Sequence, residues 1–318
     1  MRSSLLLSVA AASLIMAASP SLAGTWVPAN PPSGAASFTL FGINDHNITT
    51  GAWVNSSGVT QGFVGPFDGS NYTSFTDGGS GTEPRAISDR GLITGYDTGT
   101  VVPWERFADG TVTNITKNKG TTTLTQVAQQ INRTGMFAGN TDNASGVSVG
   151  YLGRNAKDKG TFAMPIPNAG YAGRALDDSG HYGGWYIDPS TGLQRGFVKA
   201  GFHITRVDFP GPNTAYTVVE GMNNHGRVSG QWEDTSGVIH GFIYDMGKGK
   251  HSYTSLDVPG ATFTQVWGIN NNDVVAASAA VSNVTQSFIY CIKANCPGTP
   301  GHALKMQPGG KPAKPAQN

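Results

Sequence analysis

The chain has 318 residues, of which 44 are glycine and only 13% are charged, and its formal net charge is +1. A near-neutral balance leaves neither the basic footprint that nucleic acid requires nor a strongly acidic surface. Ala-Leu-Glu-Lys runs are missing, which excludes helical arrays, while the glycine content suits many short strands joined by tight turns.

In chain order, Arg2 is followed by an apolar stretch from Leu5 to Ala18 and then by Ser21-Leu22-Ala23. This reads as a secretory signal peptide over residues 1–23, cleaved after Ala23; a retained N-terminal anchor would leave the same pattern. No later segment approaches the ~20 apolar residues of a membrane span. A secreted or periplasmic chain with no span after cleavage is therefore expected. No Cys follows the apolar run, which argues against a lipid-modified N-terminus.

Residues 24–296 carry an internal period. The pieces Gly42-Ile43-Asn44-Asp45, Ala86-Ile87-Ser88-Asp89, Gln130-Ile131-Asn132-Arg133, Ala175-Leu176-Asp177-Asp178, Gly221-Met222-Asn223-Asn224 and Gly268-Ile269-Asn270-Asn271 align, so an apolar anchor recurs at 43, 87, 131, 176, 222 and 269. Four residues past it stand Asn47, Gly91, Gly135, Gly180, Gly226 and Asp273; eight past it stand Gly51, Gly95, Gly139, Gly184, Gly230 and Ala277. About twenty past it comes a Gly-aromatic step, as in Gly62-Phe63, Gly196-Phe197 and Gly241-Phe242, with Ser287-Phe288 in the last unit. The second unit has Val102-Pro103-Trp104 at a shorter offset, so its central hairpin is expected to be trimmed.

Each unit reads as four short strands. In the fifth these are Tyr216 to Met222, Arg227 to Trp232, Val238 to Tyr244 and Tyr253 to Val258, with Asn223-Asn224-His225-Gly226 as an Asx turn between the first two. A four-stranded repeat of ~45 residues is the size of a propeller blade, whereas solenoid repeats of that length are usually helical and β-solenoid turns are shorter. The expected fold is all-β, a six-bladed β-propeller. The sixth unit ends after its third strand, so Thr25 to Pro28 or Ala303 to Met306 should supply its fourth. The Pro-Gly-Lys-rich residues 297–318 have too little apolar content to fold and are expected to be disordered.

The units resemble the HAF repeats of bacterial extracellular proteins, in which Gly-Ile-Asn, Gly-x-Ile-x-Gly, His-Gly-Phe and Asp-x-Pro-Gly-Ala steps follow in order. The matching residues are Gly268-Ile269-Asn270, Gly226-Arg227-Val228-Ser229-Gly230, His240-Gly241-Phe242 and Asp257-Val258-Pro259-Gly260-Ala261, with Asp208-Phe209-Pro210-Gly211 repeating the last. Units two and three depart most. The resemblance implies export, a propeller-like fold and a repeat-bearing surface, and no activity.

Among residues able to carry chemistry, Asp45, Asp89 and Asp178 recur because the turn recurs, an Asx side chain capping the backbone there. Loop carboxylates from different blades can nevertheless converge in a channel, as a glycosidase or lyase would need. His46, His181, His225 and His240 show no metal-ligand spacing, Asp68-Gly69-Ser70-Asn71 is only a fragment of a calcium loop, and no cofactor or metal is expected. Cys291 and Cys296 should pair in an oxidising compartment, closing a small loop of little global weight; a zinc site would need about four ligands, and only His302 lies nearby. Trp53, Tyr186 and Trp232 share an offset of ten from their anchors. They could stack on a sugar or fill a partner's pocket from one rim, or cap the gaps between blades. The leading expectation is a monomeric, non-enzymatic module binding a carbohydrate or protein on one ring face. A polysaccharide hydrolase or lyase with channel carboxylates, and a structural cell-surface protein, are the alternatives.

Overall fold

The computed structural model describes residues 24–115, 126–155, 158–161, 169–211, 213–248, 252–293 and 296. The expected signal peptide at 1–23, and the tail at 297–318 with the alternative closing strand Ala303 to Met306, lie outside the described residues.

After β1 (Thr25–Pro28), blade 1 holds β2 (Ser37–Ile43), β3 (Ile48–Val54), β4 (Thr60–Pro66) and β5 (Thr73–Phe75). Blade 2 holds β6 (Thr82–Ile87), β7 (Ile93–Asp97), β8 (Pro103–Arg106) and β9 (Val112–Asn114). Blade 3 comprises β10 (Gln126–Ile131), β11 (Phe137–Asp142), β12 (Ser148–Asn155) and β13 (Asp158–Thr161). Blade 4 comprises β14 (Tyr171–Leu176), β15 (Tyr182–Ile187), β16 (Gln194–Ala200) and β17 (His203–Val207). Blade 5 has β18 (Thr214–Met222), β19 (Arg227–Asp234), β20 (Ile239–Asp245) and β21 (Tyr253–Leu256). Blade 6 has β22 (Ala261–Ile269), β23 (Val274–Val281) and β24 (Val284–Cys291), and β1 completes it. Each sheet is an antiparallel meander packed on the next, and β22, β23 and β24 pack on β2, so the ring closes as a six-bladed β-propeller.

The closing strand is the N-terminal candidate. Thr25 pairs with Cys291 and Pro28 with Phe288, joining the first and last described strands in one sheet. The trimmed hairpin of the second unit is also present, as β7 and β8 have five and four residues against seven or eight in the corresponding strands of blades 1, 5 and 6.

Hydrophobic burial lies between blades. The aromatic of each third strand is driven into a blade interface: Phe63, Trp104, Tyr151, Phe197, Phe242 and Phe288 are all buried. Trp104 takes this place in the unit whose Gly-aromatic step is missing. Residues four past the anchors adopt the left-handed conformation in every blade, including Asn47 (φ 58°) and Asp273 (φ 63°) where glycine is absent, because Asn and Asp tolerate that region best after glycine.

One feature departs from a simple alternating strand. Each inner strand (β2, β6, β10, β14, β18, β22) carries a register shift two residues before its anchor, at Phe41, Arg85, Gln129, Arg174, Glu220 and, in blade 6, across Trp267 and Gly268. A bulge bends the strand and re-aims the extra side chain. It also explains the glycine eight past the anchor: a Cβ there would lie 2.0 Å from the Thr39 carbonyl oxygen in blade 1 and 2.1 Å from that of Val218 in blade 5.

Candidate functional site: the central channel

The six anchor turns meet at one end of the channel around a cavity of 60 Å³, room for a few waters and no more. Their side chains are spent on each other. In blade 5 the Asn223 side-chain oxygen accepts from the backbone N–H groups of His225 and Arg227, both at 3.0 Å. Its amide donates onward to the Asn270 carbonyl in blade 6, at 3.1 Å. Asn270 repeats this towards Asn44 of blade 1 at 2.8 Å, and Asn44 towards Ser88 at 3.1 Å. Asn is needed because one side chain must accept within its own turn and donate to the next blade. Where the position is Ser88 or Asp177, no such onward bond forms.

The next residue builds a second ring. The backbone N–H of Asp45 donates to Asp89 (2.8 Å), Arg133 to Asp178 (2.9 Å), Asp178 to Asn224 (2.9 Å), Asn224 to Asn271 (2.7 Å) and Asn271 to Asp45 (2.7 Å). Only the step from blade 2 to blade 3 lacks this bond, because Arg133 offers no acceptor. Burial, with the like charge of Asp45 beside it, holds the Asp89 carboxyl above the ordinary carboxylate range. The three carboxylates that a hydrolase or lyase would have drawn on are thus acceptors that join blades.

One layer deeper, the bulges converge six side chains on the axis. The Arg85 guanidinium carbon lies 4.2 Å from the Phe41 ring centre and 4.8 Å from that of Trp267, and Arg85 also bonds Gln129 (2.9 Å) and Glu83 (3.0 Å). Opposite, Arg174 donates to both oxygens of Glu220 at 3.0 and 3.1 Å. This layer leaves a void of only 10 Å³, so the channel is plugged at mid-depth. Residues nine past the anchors stand beside it. Ser278 accepts the Trp267 indole N–H (3.0 Å), and Tyr96 donates to Glu83 (2.6 Å). Burial, reinforced by Glu233 and Glu220, raises the Tyr216 phenol to about 12, so it is a neutral donor at physiological pH.

Blades 3, 4 and 5 hold an unfinished part of this arrangement. Arg174 Nε, Trp185 Nε1, Asn140 Oδ1 and Gln231 Oε1 are buried without a hydrogen-bond partner. All four belong to the two positions just described, two before or nine past an anchor, and each such atom costs about 1–3 kcal/mol if left unpaired.

Trp53, Tyr186 and Trp232 are at the opposite end from the anchor turns, at the ends of β3, β15 and β19. Trp53 packs on the cluster around Phe38 and Phe63, and Tyr186 is buried against Phe197. Trp232 lies flat between Phe209 (4.3 Å) and His240 (4.4 Å). For these three the structure shows packing in the blade interfaces, the alternative weighed for them from the sequence, because the area of a large ring favours burial. Sequence reasoning missed the positions two before and nine past the anchor. The signal was present: Phe, Arg, Gln, Arg, Glu and Trp occupy one equivalent place in six otherwise similar units.

No protein-family model matches the chain, and no curated protein matches it. Among solved structures it is similar to TolB from Acinetobacter baumannii, with 11% identity and a TM-score of 0.52 over 76% of this chain and 63% of that one. A streptogramin B lyase aligns at 10% identity and TM-score 0.45 over 84% and 97% of the two chains. The propeller domain of the Trilobed protease from Pyrococcus furiosus aligns at 8% and 0.47 over 80% and 96%. At such identities the likeness defines the class, a β-propeller, and nothing of its chemistry.

Proposed function

We propose that the chain is an exported, non-enzymatic propeller that binds a carbohydrate through the channel-lining side chains of blades 3, 4 and 5, which must part to admit it because the closed layer leaves a void of only 10 Å³. The observation that carries this reading is that, of the buried polar atoms without a hydrogen-bond partner, which also include Trp53 Nε1, Trp104 Nε1 and Trp232 Nε1 in the blade interfaces, four gather at two repeat positions of three consecutive blades: two donors (Arg174 Nε, Trp185 Nε1) and two acceptors (Asn140 Oδ1, Gln231 Oε1). A sugar hydroxyl both donates and accepts, so neighbouring hydroxyls can complete such a mixed set, whereas a carboxylate or phosphate could satisfy only the donors. Glu220 neutralises Arg174, which also favours an uncharged ligand. Arg174 keeps 24% of its side chain exposed, so the site is not sealed on every side. Export accords with the Cys291–Cys296 disulfide, and the HAF-like repeats belong to the same reading.

Trp185→Phe tests it, because the change removes the indole N–H and keeps a ring. On an array of neutral and acidic glycans the unmodified protein should retain neutral saccharides, and W185F should bind them roughly tenfold more weakly, the worth of one hydrogen bond. Its melting temperature should not fall, since no protein partner is lost. Absence of neutral-glycan binding, or unchanged affinity in both W185F and Arg174→Met, would reject the site.

A further inference from the structure

Cys291 and Cys296 form a disulfide, and its place in the ring gives it more weight than a six-residue loop suggests. Cys291 is the last residue of β24 and faces Thr25, the first residue of the closing strand. Cys296 returns over that same point, with its sulfur 4.0 Å from the Thr25 carbonyl oxygen. Both cysteines are buried, in one cluster with Ala29, Phe38, Phe63, Phe67 and Ile289, which is the interface between blade 6 and blade 1. The bridge therefore lies inside the one junction where the ring is closed by a strand from the far end of the chain.

What else holds β1 is modest. It has four residues and pairs only with β24, and its side chains are exposed or half-buried. Trp26 packs on Tyr290 at 4.8 Å, and the Ala29 N–H donates to the Ser287 carbonyl at 2.8 Å. Every other outer strand is tied to its blade by a short connection, whereas β1 must close a loop of nearly the whole chain, at an entropic cost that grows with the logarithm of loop length. The backbone approaches β24 closely at Gly24, where a Cβ would lie 2.3 Å from the Tyr290 ring and 2.4 Å from the Cys291 carbonyl oxygen.

We propose that the Cys291–Cys296 bridge is a redox latch on ring closure: oxidation holds Cys296 against the start of β1, and reduction releases β1 from blade 6. The bridge forms by exchange with an external disulfide, two cysteine thiols giving one protein disulfide while the oxidant leaves as two thiols; a dithiol reductant reverses this. The ring then closes fully only in an oxidising compartment.

Hydrogen exchange on the folded mature protein, oxidised and then reduced with a phosphine, reads this directly. Amides of Thr25 to Pro28 and their partners from Phe288 to Cys291 should exchange at least tenfold faster after reduction, with blades 3 and 4 unchanged. Cys296→Ser in a Cys291→Ser background should behave like the reduced protein. Unchanged exchange at β1, or an equal acceleration in every blade, would overturn the latch.

Discussion

Arg133 occupies the one place in the second ring of turn residues where no acceptor is offered to the preceding blade, and this makes it a test of what that ring contributes. Arg133→Asn should supply the side-chain oxygen that the Asp89 N–H lacks, as Asn224 and Asn271 do for their neighbours. One added intramolecular hydrogen bond stabilises by about 0.5–1.5 kcal/mol. The ion pair given up, Arg133 to Asp178 at 3.4 Å with the arginine 60% exposed, subtracts little. Thermal denaturation should show a rise of a few degrees, and a fall would mean that the ring bonds are incidental. Asp89 itself gives a pH signature. Its carboxyl is held above its unfolded value, so the folded state binds protons more tightly, and stability from this group declines as pH rises through that window. Asp89→Asn keeps the acceptor for Asp45 and removes the charge. It should gain stability over the unmodified protein at neutral pH and lose that advantage below about pH 4, the ordinary carboxylate value; equal stability at both pH values would show that the Asp45 and Asp89 charges do not oppose each other.

The strands show where sequence reading succeeds and where it stops. The left-handed residue four past the anchor was legible because few residues supply that conformation. The turn-capping acceptor expected two past the anchor, at Asp45, Asp89 and Asp178, instead stands one past it, as at Asn44 and Asn223, and the residues two past it accept from the neighbouring blade. Strand boundaries in blade 5 fell within two residues of the expected ones, from β18 (Thr214–Met222) to β21 (Tyr253–Leu256). The bulges were not legible: nothing in Phe41, Arg85, Gln129, Arg174, Glu220 or Trp267 marks an extra residue, and only cross-strand register reveals it. Their trace was the glycine eight past the anchor, readable as close backbone approach but not as the partner of a bulge. Blade 6 agrees, since the unit with Ala277 at that place is the one whose inner strand skips two residues rather than one. Gly230→Ala should therefore cost about 1–3 kcal/mol through forced displacement. The new Cβ would meet the Val218 carbonyl oxygen at 2.1 Å and the Phe242 ring at 2.7 Å. A denaturation midpoint unchanged in G230A would refute the close approach. Of the candidate binding residues, Arg174 stayed hidden for the same reason, because a bulge aims it at the axis, whereas Asn140, Trp185 and Gln231 share a periodic place nine past their anchors on the second strands.

A closed ring has no privileged starting point, and the order of packing makes this chain testable on that score. Thr25 and Cys291 are register partners and Cys296 lies beside Thr25, so with residues 1–23 and 297–318 removed a short linker can join Cys296 to Gly24. New ends can then be opened elsewhere, and two sites differ sharply in what they hold. The β3–β4 tip is exposed at Gly58, which has a φ of 80° and nothing within 4 Å of where a Cβ would lie. The β2–β3 turn instead carries Asp45, which accepts from both the backbone and the side-chain amide of Asn271 at 2.7 Å, and Asn44, whose carbonyl accepts from Asn270 at 2.8 Å. A permutant opened at the tip keeps every blade-to-blade bond around the channel and turns the covalently remote closure by β1 into a local hairpin. It should melt within a few degrees of the parent. Opening between Asp45 and His46 leaves the Asn271 and Asn270 donors facing a frayed partner, each at about 1–3 kcal/mol, and should lower the melting temperature well beyond the tip permutant. If both permutants melt alike, the hydrogen-bonded turns at the channel mouth do not hold the blades together, and burial between blade faces alone closes the ring.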